Sequence, residues 1–278
     1  MQGPLIRVLL LEDDDDDVII IREFLLNNRR SSYEVDWARN HPEAIQRIER
    51  KAYDICLVDY QLGADTGFDF IAHCARAGLN LPIILLTGRE GADMDIRALQ
   101  AGAADYLQKT EITGSLLDKS IRYAIERLRS LLFVQESRQL LASALDALSS
   151  HIAILDGAGI IVAVNRAWRT FGEQNGLRST DSGVGTSYLD VCDKAAAEGD
   201  EIAGNVHRAI RDIVSGRWSS FAIQYTCHSI VEQRWFYLRI TRFLEAGAPR
   251  IVVAHELVMT RRASRGEEAE FTCVLSSG

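Results

Sequence analysis

The chain has 278 residues, 47% of them apolar and 25% charged, which is average for soluble globular protein and enough for two ordinary domains. Its formal charge of −8 disfavours a DNA-binding output, which normally requires a basic face. No stretch approaches about 18 consecutive apolar residues, and the first apolar run leads directly into an acidic cluster. We therefore expect neither a transmembrane helix nor a signal peptide.

The cysteines and histidines show no disulfide or metal-binding pattern. The five cysteines are odd in number, and no two of them have CxxC spacing. This usage favours a reduced, cytoplasmic compartment. The six histidines form no metal-ligand motif, so we interpret them as core or surface residues. The predicted protein is cytoplasmic and makes no membrane contact.

Four short apolar runs in the first part of the chain each lead into functional side chains. Such runs, bounded by turn or polar residues, are typical of buried strands in a parallel sheet. In these sheets functional groups gather just beyond the carboxyl ends of the strands. The groups are Glu12 and Asp13 after residues 8–11, Asp59 after residues 55–58, Thr87 after residues 83–86, and Lys109 after residues 105–108. The sequence predicts that they converge on one site.

The chemistry of Asp59 follows from these predicted neighbours. Each pair of like charges at about 4 Å costs on the order of 4 kcal/mol at an effective dielectric of about 20. Mg²⁺ removes that cost, because it binds a few carboxylates together with phosphate oxygens. Asp59 can then act as a nucleophile and form an aspartyl phosphate. Thr87 can donate a hydrogen bond to one phosphoryl oxygen, and Lys109 can neutralise another.

Residues 5 to about 126 resemble a two-component response-regulator receiver domain. The resemblance rests on four segments in the right order and spacing, VLLLEDDDDD, YDICLVDYQLGADTGFDFI, LPIILLTGRE and AGAADYLQK. It implies an α/β fold, a doubly wound, flavodoxin-like domain with five parallel strands in the order 2-1-3-4-5. It also implies that the partner is a histidine kinase or phosphotransfer protein.

The resemblance implies a role for each residue of the site. Glu12 and Asp13 hold Mg²⁺, directly or through water, and the backbone carbonyl of Gln61 completes the metal site. Asp59 is the phosphoacceptor and also a metal ligand. The residues that respond to the phosphate are Thr87 as the switch hydroxyl, Lys109 as the phosphate-sensing cation and Tyr106 as the aromatic rotamer switch.

The chain departs from the family pattern at two places near this site. The family usually has a proline with a cis bond after the lysine, whereas this chain has Thr110, so the loop there is expected to differ. Gly63 and Ala64 stand where the family often has a proline. Gly67 matches a family glycine, and Gly88 is small enough to leave the site open to a phosphodonor and to water.

Strand and helix patterns alternate through the first domain, which demands right-handed crossovers and a doubly wound sheet. Part of the acidic run at residues 14–17 is expected to cap the next helix and to favour its positive N-terminal dipole, whereas residues 15 and 16 are interpreted as a solvated acidic loop. The remaining predicted elements are a helix at 18–26, a strand at 34–38, and helices at 42–51, 68–77 and 93–101.

Residues 115–149 contain no strong helix breaker, which predicts that the last receiver helix continues into a long signalling helix. Its apolar residues follow a heptad spacing with one three-residue step, similar to a stammer. The positions, all apolar except Arg138, are Leu117, Ile121, Ala124, Leu128, Leu131, Val134, Arg138, Leu141, Leu145 and Leu148. A parallel homodimer is the favoured interpretation. The alternative is an amphipathic helix that packs on its own domains.

Residues 150–262 predict a second domain of the α+β class. Two short strands meet at Gly157–Gly159, Asn165 is a suitable N-cap for the next helix, and three strand-like stretches close the domain. This order resembles an antiparallel-sheet PAS domain, with ILDGAGIIVAVNRAWRTFGEQNG as the closest local match. The resemblance implies ligand sensing, cofactor binding or dimerisation, and it does not specify a ligand.

Structural roles are expected for the reactive and aromatic residues of this second domain. Cys192 lacks the surroundings of a flavin-adduct cysteine, and His207 stands alone on a predicted helix, which disfavours haem ligation. The polar residues 263–278 predict a flexible tail. The aromatic residues expected to build the core are Trp168, Phe171, Trp218, Trp235 and Phe236.

The predicted domains are a receiver at 1–126, a signalling helix at 127–149, a PAS-like sensor or dimerisation domain at 150–262, and the tail. The predicted function is two-component signal transduction, in which phosphorylation of Asp59 changes a PAS-mediated interaction with a downstream protein. No kinase, P-loop or cyclase motif occurs, so we expect no separate enzyme activity. The acidic net charge disfavours direct nucleic-acid binding. Two alternatives remain open. One is the regulatory part of a larger hybrid histidine kinase or cyclic-dinucleotide enzyme, and the other is a phosphorylation-independent scaffold.

Overall fold

A computed structural model of the chain describes residues 4–28, 31–88, 94–175, 182–227 and 232–262. The chain divides into two compact units, Met1–Glu136 and Ser137–Gly278. The predicted tail at 263–278, and residue 93 at the predicted start of the fourth helix, lie outside the described residues.

The first unit is a five-stranded parallel sheet with helices on both faces. Its strands are β1 (Leu5–Leu11), β2 (Ser32–Ala38), β3 (Ile55–Asp59), β4 (Ile83–Thr87) and β5 (Asp105–Gln108). Its helices are α1 (Asp15–Leu26), α2 (His41–Arg50), α3 (Gly67–Arg76), α4 (Met94–Ala101) and α5 (Gly114–Ala147). The strand order β2-β1-β3-β4-β5 agrees with the predicted order, and the five parallel strands are confirmed.

Burial on both faces of this sheet explains why its strands are short and apolar. Every residue of β3 and β4 is buried. On one face Leu57 packs in a core that includes Ile121 of α5. On the other face Cys56 and Val58 pack in a core that includes Phe70 of α3. In β3 and β4 the polar side chains, Asp59 and Thr87, are therefore found only at the C-terminal end, where the candidate site lies.

The acidic run after β1 begins a helix earlier than the sequence predicted. Asp14 is the N-cap of α1, and its side chain accepts a hydrogen bond from Asp16 N at 2.8 Å. Asp15, Asp16 and Asp17 form the first helical turn. The prediction of a solvated loop at Asp15 and Asp16 was wrong, because carboxylates are favourable at the positive end of a helix dipole.

Helix α5 has 34 residues, and the predicted seam along it is divided between two environments. The first three seam positions, Leu117, Ile121 and Ala124, are buried in the core of the first unit and are not available to a partner helix. Seam positions Leu131 and Leu141 are 61% and 66% exposed. Within the described residues, no helix combines the length and apolar character that a membrane span requires.

The second unit contains an antiparallel sheet with three helices inserted after its second strand. Its strands are β6 (His151–Leu155), β7 (Ile161–Val164), β8 (Ser220–Thr226), β9 (Glu232–Glu245) and β10 (Ala248–Arg262), in the order β8-β9-β10-β6-β7. The helices are α6 (Arg166–Gln174), α7 (Tyr188–Ala197) and α8 (Glu201–Val214). Ile210 and Ile213 of α8 pack with Ile240 and Val253 in one buried core. The α+β layout predicted for this half is therefore present.

Asn165 caps α6 as predicted and also holds the C-terminal end of α5. Its Oδ1 accepts hydrogen bonds from Ile152 N at 2.9 Å and from Trp168 N at 3.0 Å. Its Nδ2 donates to the carbonyls of Leu145 at 3.1 Å and Ser150 at 2.8 Å. One buried amide thus satisfies backbone groups at the end of one helix and the start of another.

The predicted aromatic core of the second unit is only partly correct. Phe236 is buried, and Phe171 lies edge-to-face with it at a centroid distance of 5.7 Å. Trp218 is 46% exposed, because it lies in the connection before the edge strand β8. Cys192 is buried, and burial raises its thiol pKa to about 12, which agrees with an unreactive cysteine.

Candidate functional site

Three carboxylates meet at the C-terminal ends of the adjacent strands β1 and β3. One oxygen from each of Glu12, Asp13 and Asp59 lies within 4.8 Å of the others. Glu12 and Asp59 are buried, whereas Asp13 is exposed. Asp13 Oδ2 accepts a hydrogen bond from Gly63 N at 3.0 Å, which ties the loop after β3 to the end of β1. Hard oxygen donors in this arrangement fit a small divalent cation such as Mg²⁺.

The ammonium group of Lys109 contacts three carboxylates at this site. Its Nζ lies 2.7 Å from Glu12 Oε2, 2.7 Å from Asp59 Oδ1 and 2.6 Å from Asp17 Oδ2. Burial alone would lower the pKa of Lys109, but hydrogen bonds to these carboxylates outweigh burial and hold the pKa above its usual value. Lys109 therefore provides a fixed positive charge among the acidic groups.

The pKa of Glu12 is strongly perturbed by its surroundings. Burial raises the pKa of Glu12 to about 7, and the negative charge of Asp59 adds to the increase, while the hydrogen bond from Lys109 opposes it. The backbone carbonyl of Glu12 accepts a hydrogen bond from Trp37 Nε1 at 2.8 Å. A shift of the Glu12 backbone would therefore change the surroundings of the Trp37 indole.

Asp59 is positioned by the loop that follows β3. Its Oδ2 accepts a hydrogen bond from Gln61 N at 2.8 Å, and Tyr60 N donates to Leu86 O at 2.7 Å. Gln61 and Leu62 form a short antiparallel pairing with Asp65 and Thr66. This hairpin leaves Asp59 Oδ1 directed at Lys109. The family resemblance assigns the carbonyl of Gln61 to the metal. Gln61 follows Asp59 by two residues, and its backbone N–H contacts the Asp59 carboxylate.

Thr87 and Tyr106 lie on the same face of the sheet. In the parallel pairing of β4 with β5, Leu85 is opposite Tyr106 and Thr87 is opposite Gln108. Since side chains alternate between faces, those of Thr87, Leu85 and Tyr106 project from one side. Thr87 is buried at the end of β4. The hydroxyl oxygen of Tyr106 is also buried and has no hydrogen-bond partner within the described ranges.

The loop after Lys109 differs from a cis-proline turn, as the sequence suggested. Lys109–Glu111 form one turn of 3₁₀ helix, and the described residues contain no cis peptide bond. Thr110 is exposed on this turn. Lys109 is thus held at the site without the proline.

Asp17 is a member of the site that the sequence did not predict. It follows Glu12 by five residues within an acidic run, so nothing in its local pattern distinguishes it from Asp15 or Asp16. Only the tertiary fold, which brings the first turn of α1 to the 3₁₀ turn after β5, places its carboxylate on Lys109. By contrast, Asp15 pairs with Arg39 at 2.7 Å, away from Lys109.

A side chain at Gly67 would displace the backbone of the phosphoacceptor candidate. A Cβ atom there would lie 2.7 Å from the carbonyl oxygen of Asp59 and 2.5 Å from Leu85 Cδ1. Gly67→Ala is therefore expected to lower the free energy of unfolding by about 1–3 kcal/mol, measured by urea denaturation. The matched control is Gly88→Ala, where a Cβ meets nothing within 4 Å. Equal stability of the two variants would contradict the close contact between residue 67 and the backbone of Asp59.

Comparison with known proteins identifies the first unit. Residues 8–121 match the family described as response regulator receiver domain. An uncharacterized 104.1 kDa protein in the hypE 3′ region of Rhodobacter capsulatus is 37% identical over 121 residues, which are 42% of this chain and 12% of that protein. The alginate biosynthesis transcriptional regulatory protein AlgB of Pseudomonas aeruginosa is 34% identical over 77 residues, 28% of this chain and 17% of that protein.

Two further similar proteins are also described as response regulators. The response regulator protein PilR of Pseudomonas aeruginosa is 34% identical over 79 residues, 28% of this chain and 18% of that protein. A putative response regulator from Chloroflexus aurantiacus, a solved structure, is 25% identical with a TM-score of 0.41, over 44% of this chain and 99% of that chain. This chain spans only 12% to 18% of the length of the three curated relatives. Residues 8–121 therefore form a response regulator receiver domain.

Proposed function

We propose that Asp59 is phosphorylated in a Mg²⁺-dependent reaction by a partner histidine kinase or phosphotransfer protein. The observation that carries the proposal is the environment of Asp59, a buried carboxylate beside Glu12 and Asp13 and 2.7 Å from Lys109 Nζ. A nucleophilic carboxylate, further carboxylates for a metal and an ammonium group are what phosphoryl transfer to aspartate requires.

Each residue has a distinct part in this proposal. Glu12, Asp13 and Asp59, with the carbonyl of Gln61, would hold Mg²⁺, which supplies positive charge to the phosphoryl oxygens when bound. An oxygen of Asp59 attacks phosphorus as the bond from phosphorus to the donor nitrogen breaks, and the donor keeps that electron pair. Lys109 balances the charge on the transferred group.

The proposed switch uses the two residues that share a face of β4 and β5. The Thr87 hydroxyl donates to a phosphoryl oxygen on Asp59 and moves toward it. Tyr106, whose hydroxyl has no hydrogen-bond partner among the described residues, then turns on the same face. The extra phosphate charge shifts a two-state equilibrium at this edge of the receiver.

Intact-mass spectrometry after incubation with acetyl phosphate tests the proposal. With Mg²⁺ present, one phosphoryl adduct is expected, and with EDTA none. Acetyl phosphate is a small donor, so the reaction depends only on the receiver site. A folded protein without the adduct in Mg²⁺ would favour the phosphorylation-independent scaffold or a receiver that accepts phosphate only from its kinase. Absence of the adduct with a phosphorylated kinase as donor would contradict the proposal.

We also propose that residues 127–149 form a linker that pairs with a second copy of the chain. The exposed seam positions Leu131, Val134 and Leu141 support this, because they repeat with heptad spacing beyond the receiver core. Leu141→Asp would bury charge in the seam and is expected to weaken the dimer by about tenfold or more in sedimentation equilibrium. Gln139→Asp, on the outer side of the same turn, is the control. A wild-type protein that stays monomeric would rule the dimer out.

For the second unit we propose a PAS-like ligand-sensing role, as a second candidate function. Two strands, three helices and three antiparallel strands follow one another as the resemblance implies. A cavity of about 910 Å³ is lined by residues of α7, α8 and β8–β10. In it, His255 Nδ1 lies 2.7 Å from Tyr225 Oη, and His255 Nε2 lies 3.3 Å from Tyr188 Oη. A neutral imidazole donates to one phenol and accepts from the other, so one phenol hydrogen remains for a bound molecule.

The histidine in this cavity predicts a pH dependence of stability. Burial lowers the pKa of His255 to about 4, and the charge of His151 adds to the decrease. As pH falls from about 6.5 to 4, the unfolded chain takes up a proton that the folded chain does not. The free energy of unfolding is therefore highest above about pH 6.5. It decreases by up to about 3 kcal/mol as the pH falls to about 4. Urea denaturation of His255→Gln should lose this dependence, while the exposed-site control His73→Gln retains it. An unchanged dependence in His255→Gln would assign the effect to other groups.

A further inference from the structure

Lys109 has no spare hydrogen-bond donor in this structure. An ammonium group carries three N–H donors. Its three carboxylate neighbours, Glu12, Asp17 and Asp59, lie at 2.6 to 2.7 Å. Lys109 must therefore release one of these carboxylates before its ammonium group can donate a hydrogen bond to a phosphoryl group on Asp59.

Phosphorylation of Asp59 affects the charge of the three carboxylates differently. Asp59 becomes an acyl phosphate and loses its own negative charge to the new group. Glu12 belongs to the proposed metal cluster, where a bound cation would compensate its charge. Asp17 is absent from that cluster and is not the phosphoacceptor. Its carboxylate therefore keeps its full attraction for Lys109 at every stage.

Asp17 is also held in place for this contact. It lies in the first turn of α1, whose start is fixed by the Asp14 cap, and the next residue, Val18, is buried in the core. Val18 N donates to Asp14 O at 3.2 Å. The side chain of Asp17 is 35% exposed, so its hold on Lys109 is moderated by solvent.

We propose that Asp17 is a positioning residue that competes with the phosphoryl group for Lys109 and so weakens phosphoryl binding at Asp59. The inference rests on the proposed phosphorylation of Asp59. Loss of the Asp17 charge should free one donor of Lys109 and strengthen the binding of a phosphoryl group. For a partly exposed ion pair the expected gain is about two- to fivefold.

The test uses beryllium fluoride, a phosphoryl mimic, with Mg²⁺ and the full chain. Its affinity is measured by ¹⁹F NMR for wild type, Asp17→Asn and Asp16→Asn. Asp16→Asn removes the same charge one residue away, and Asp16 is exposed on the same helical turn. Asp17→Asn should bind the mimic about two- to fivefold more tightly than Asp16→Asn. Asp17→Glu, which retains a carboxylate, should be close to wild type.

A separate readout distinguishes competition for Lys109 from a change in the metal site. Trp37 fluorescence reports on Glu12 through the 2.8 Å hydrogen bond to its carbonyl, and Trp37→Phe identifies that signal. Mg²⁺ affinity measured in this way should be the same in Asp17→Asn and Asp16→Asn. In a Lys109→Met background, Asp17→Asn should no longer change affinity for the mimic.

Three results would overturn the inference. They are equal affinities for the mimic in the two asparagine variants, a gain that persists in the Lys109→Met background, and a parallel change in Mg²⁺ affinity confined to Asp17→Asn. If wild type binds no beryllium fluoride and takes no phosphate from acetyl phosphate, the proposed function itself fails. The two failures are therefore distinguishable.

Discussion

Asp59→Asn is expected to reduce phosphate incorporation from acetyl phosphate to background while the protein remains folded. Asparagine has no nucleophilic carboxylate, but its carbonyl oxygen can still accept the hydrogen bond from Gln61 N. The variant also removes one negative charge from a buried acidic cluster, so no loss of stability is expected without Mg²⁺. Intact-mass spectrometry with and without Mg²⁺ measures incorporation, and thermal unfolding measures the fold.

The matched control is Asp65→Asn, an exposed acid in the hairpin that follows Asp59. Asp65→Asn should incorporate as much phosphate as wild type. A folded Asp59→Asn protein labelled at the wild-type level would show that another residue is the phosphoacceptor. Loss of labelling in both variants would instead indicate that the hairpin, rather than the Asp59 carboxylate, limits the reaction.

Lys109→Met is expected to cause the largest loss of stability at this site. The substitution leaves Glu12 and Asp59 buried without their common counter-ion, with side chains only 1% and 8% exposed. Removing one partner of a buried ion pair costs about 3–5 kcal/mol. Urea denaturation in EDTA at pH 8 should show this loss. Mg²⁺ should restore part of it, because a cation among the carboxylates replaces the missing charge.

The pH dependence separates this effect from a loss of packing. Burial raises the pKa of Glu12 to about 7, and removal of Lys109 raises it further, because the opposing hydrogen bond is lost. Below that pH Glu12 is protonated and the uncompensated charge disappears, so the cost should be smaller at pH 6 than at pH 8. The exposed Lys119→Met is the control and should be neutral at both pH values. A pH-independent loss in Lys109→Met would assign the effect to packing.

The main part of the candidate site could be predicted from the sequence because it follows from strand ends. In a buried parallel sheet the strands are apolar throughout, so the first polar residue after each run marks the carboxyl end. Glu12, Asp59 and Thr87 were located in this way, and the structure places them at the ends of β1, β3 and β4. Their assigned roles remain proposals that the two substitutions above address.

Other features could not be predicted, because they depend on contacts between distant segments. A cap within the acidic run was expected, but the composition of the run did not show that Asp15 and Asp16 already belong to the first turn of α1. The heptad pattern of α5 extends along the helix with one three-residue step, but its first three seam positions are buried in the core of the first unit. Trp218 has the character of a core residue and is exposed beside an edge strand.

The sequence by itself determined the fold class of the first unit, the positions where its functional groups cluster, and the order of strands in the second unit, but not its helix α7. These follow from local periodicity, which each segment carries independently of the others. Only the tertiary structure decided which carboxylates hold Lys109 and which rings surround His255. Asp17 and Lys109 are separated by 92 residues, and Tyr188 and His255 by 67. Such pairs are set by the packing of whole elements, which no local pattern encodes.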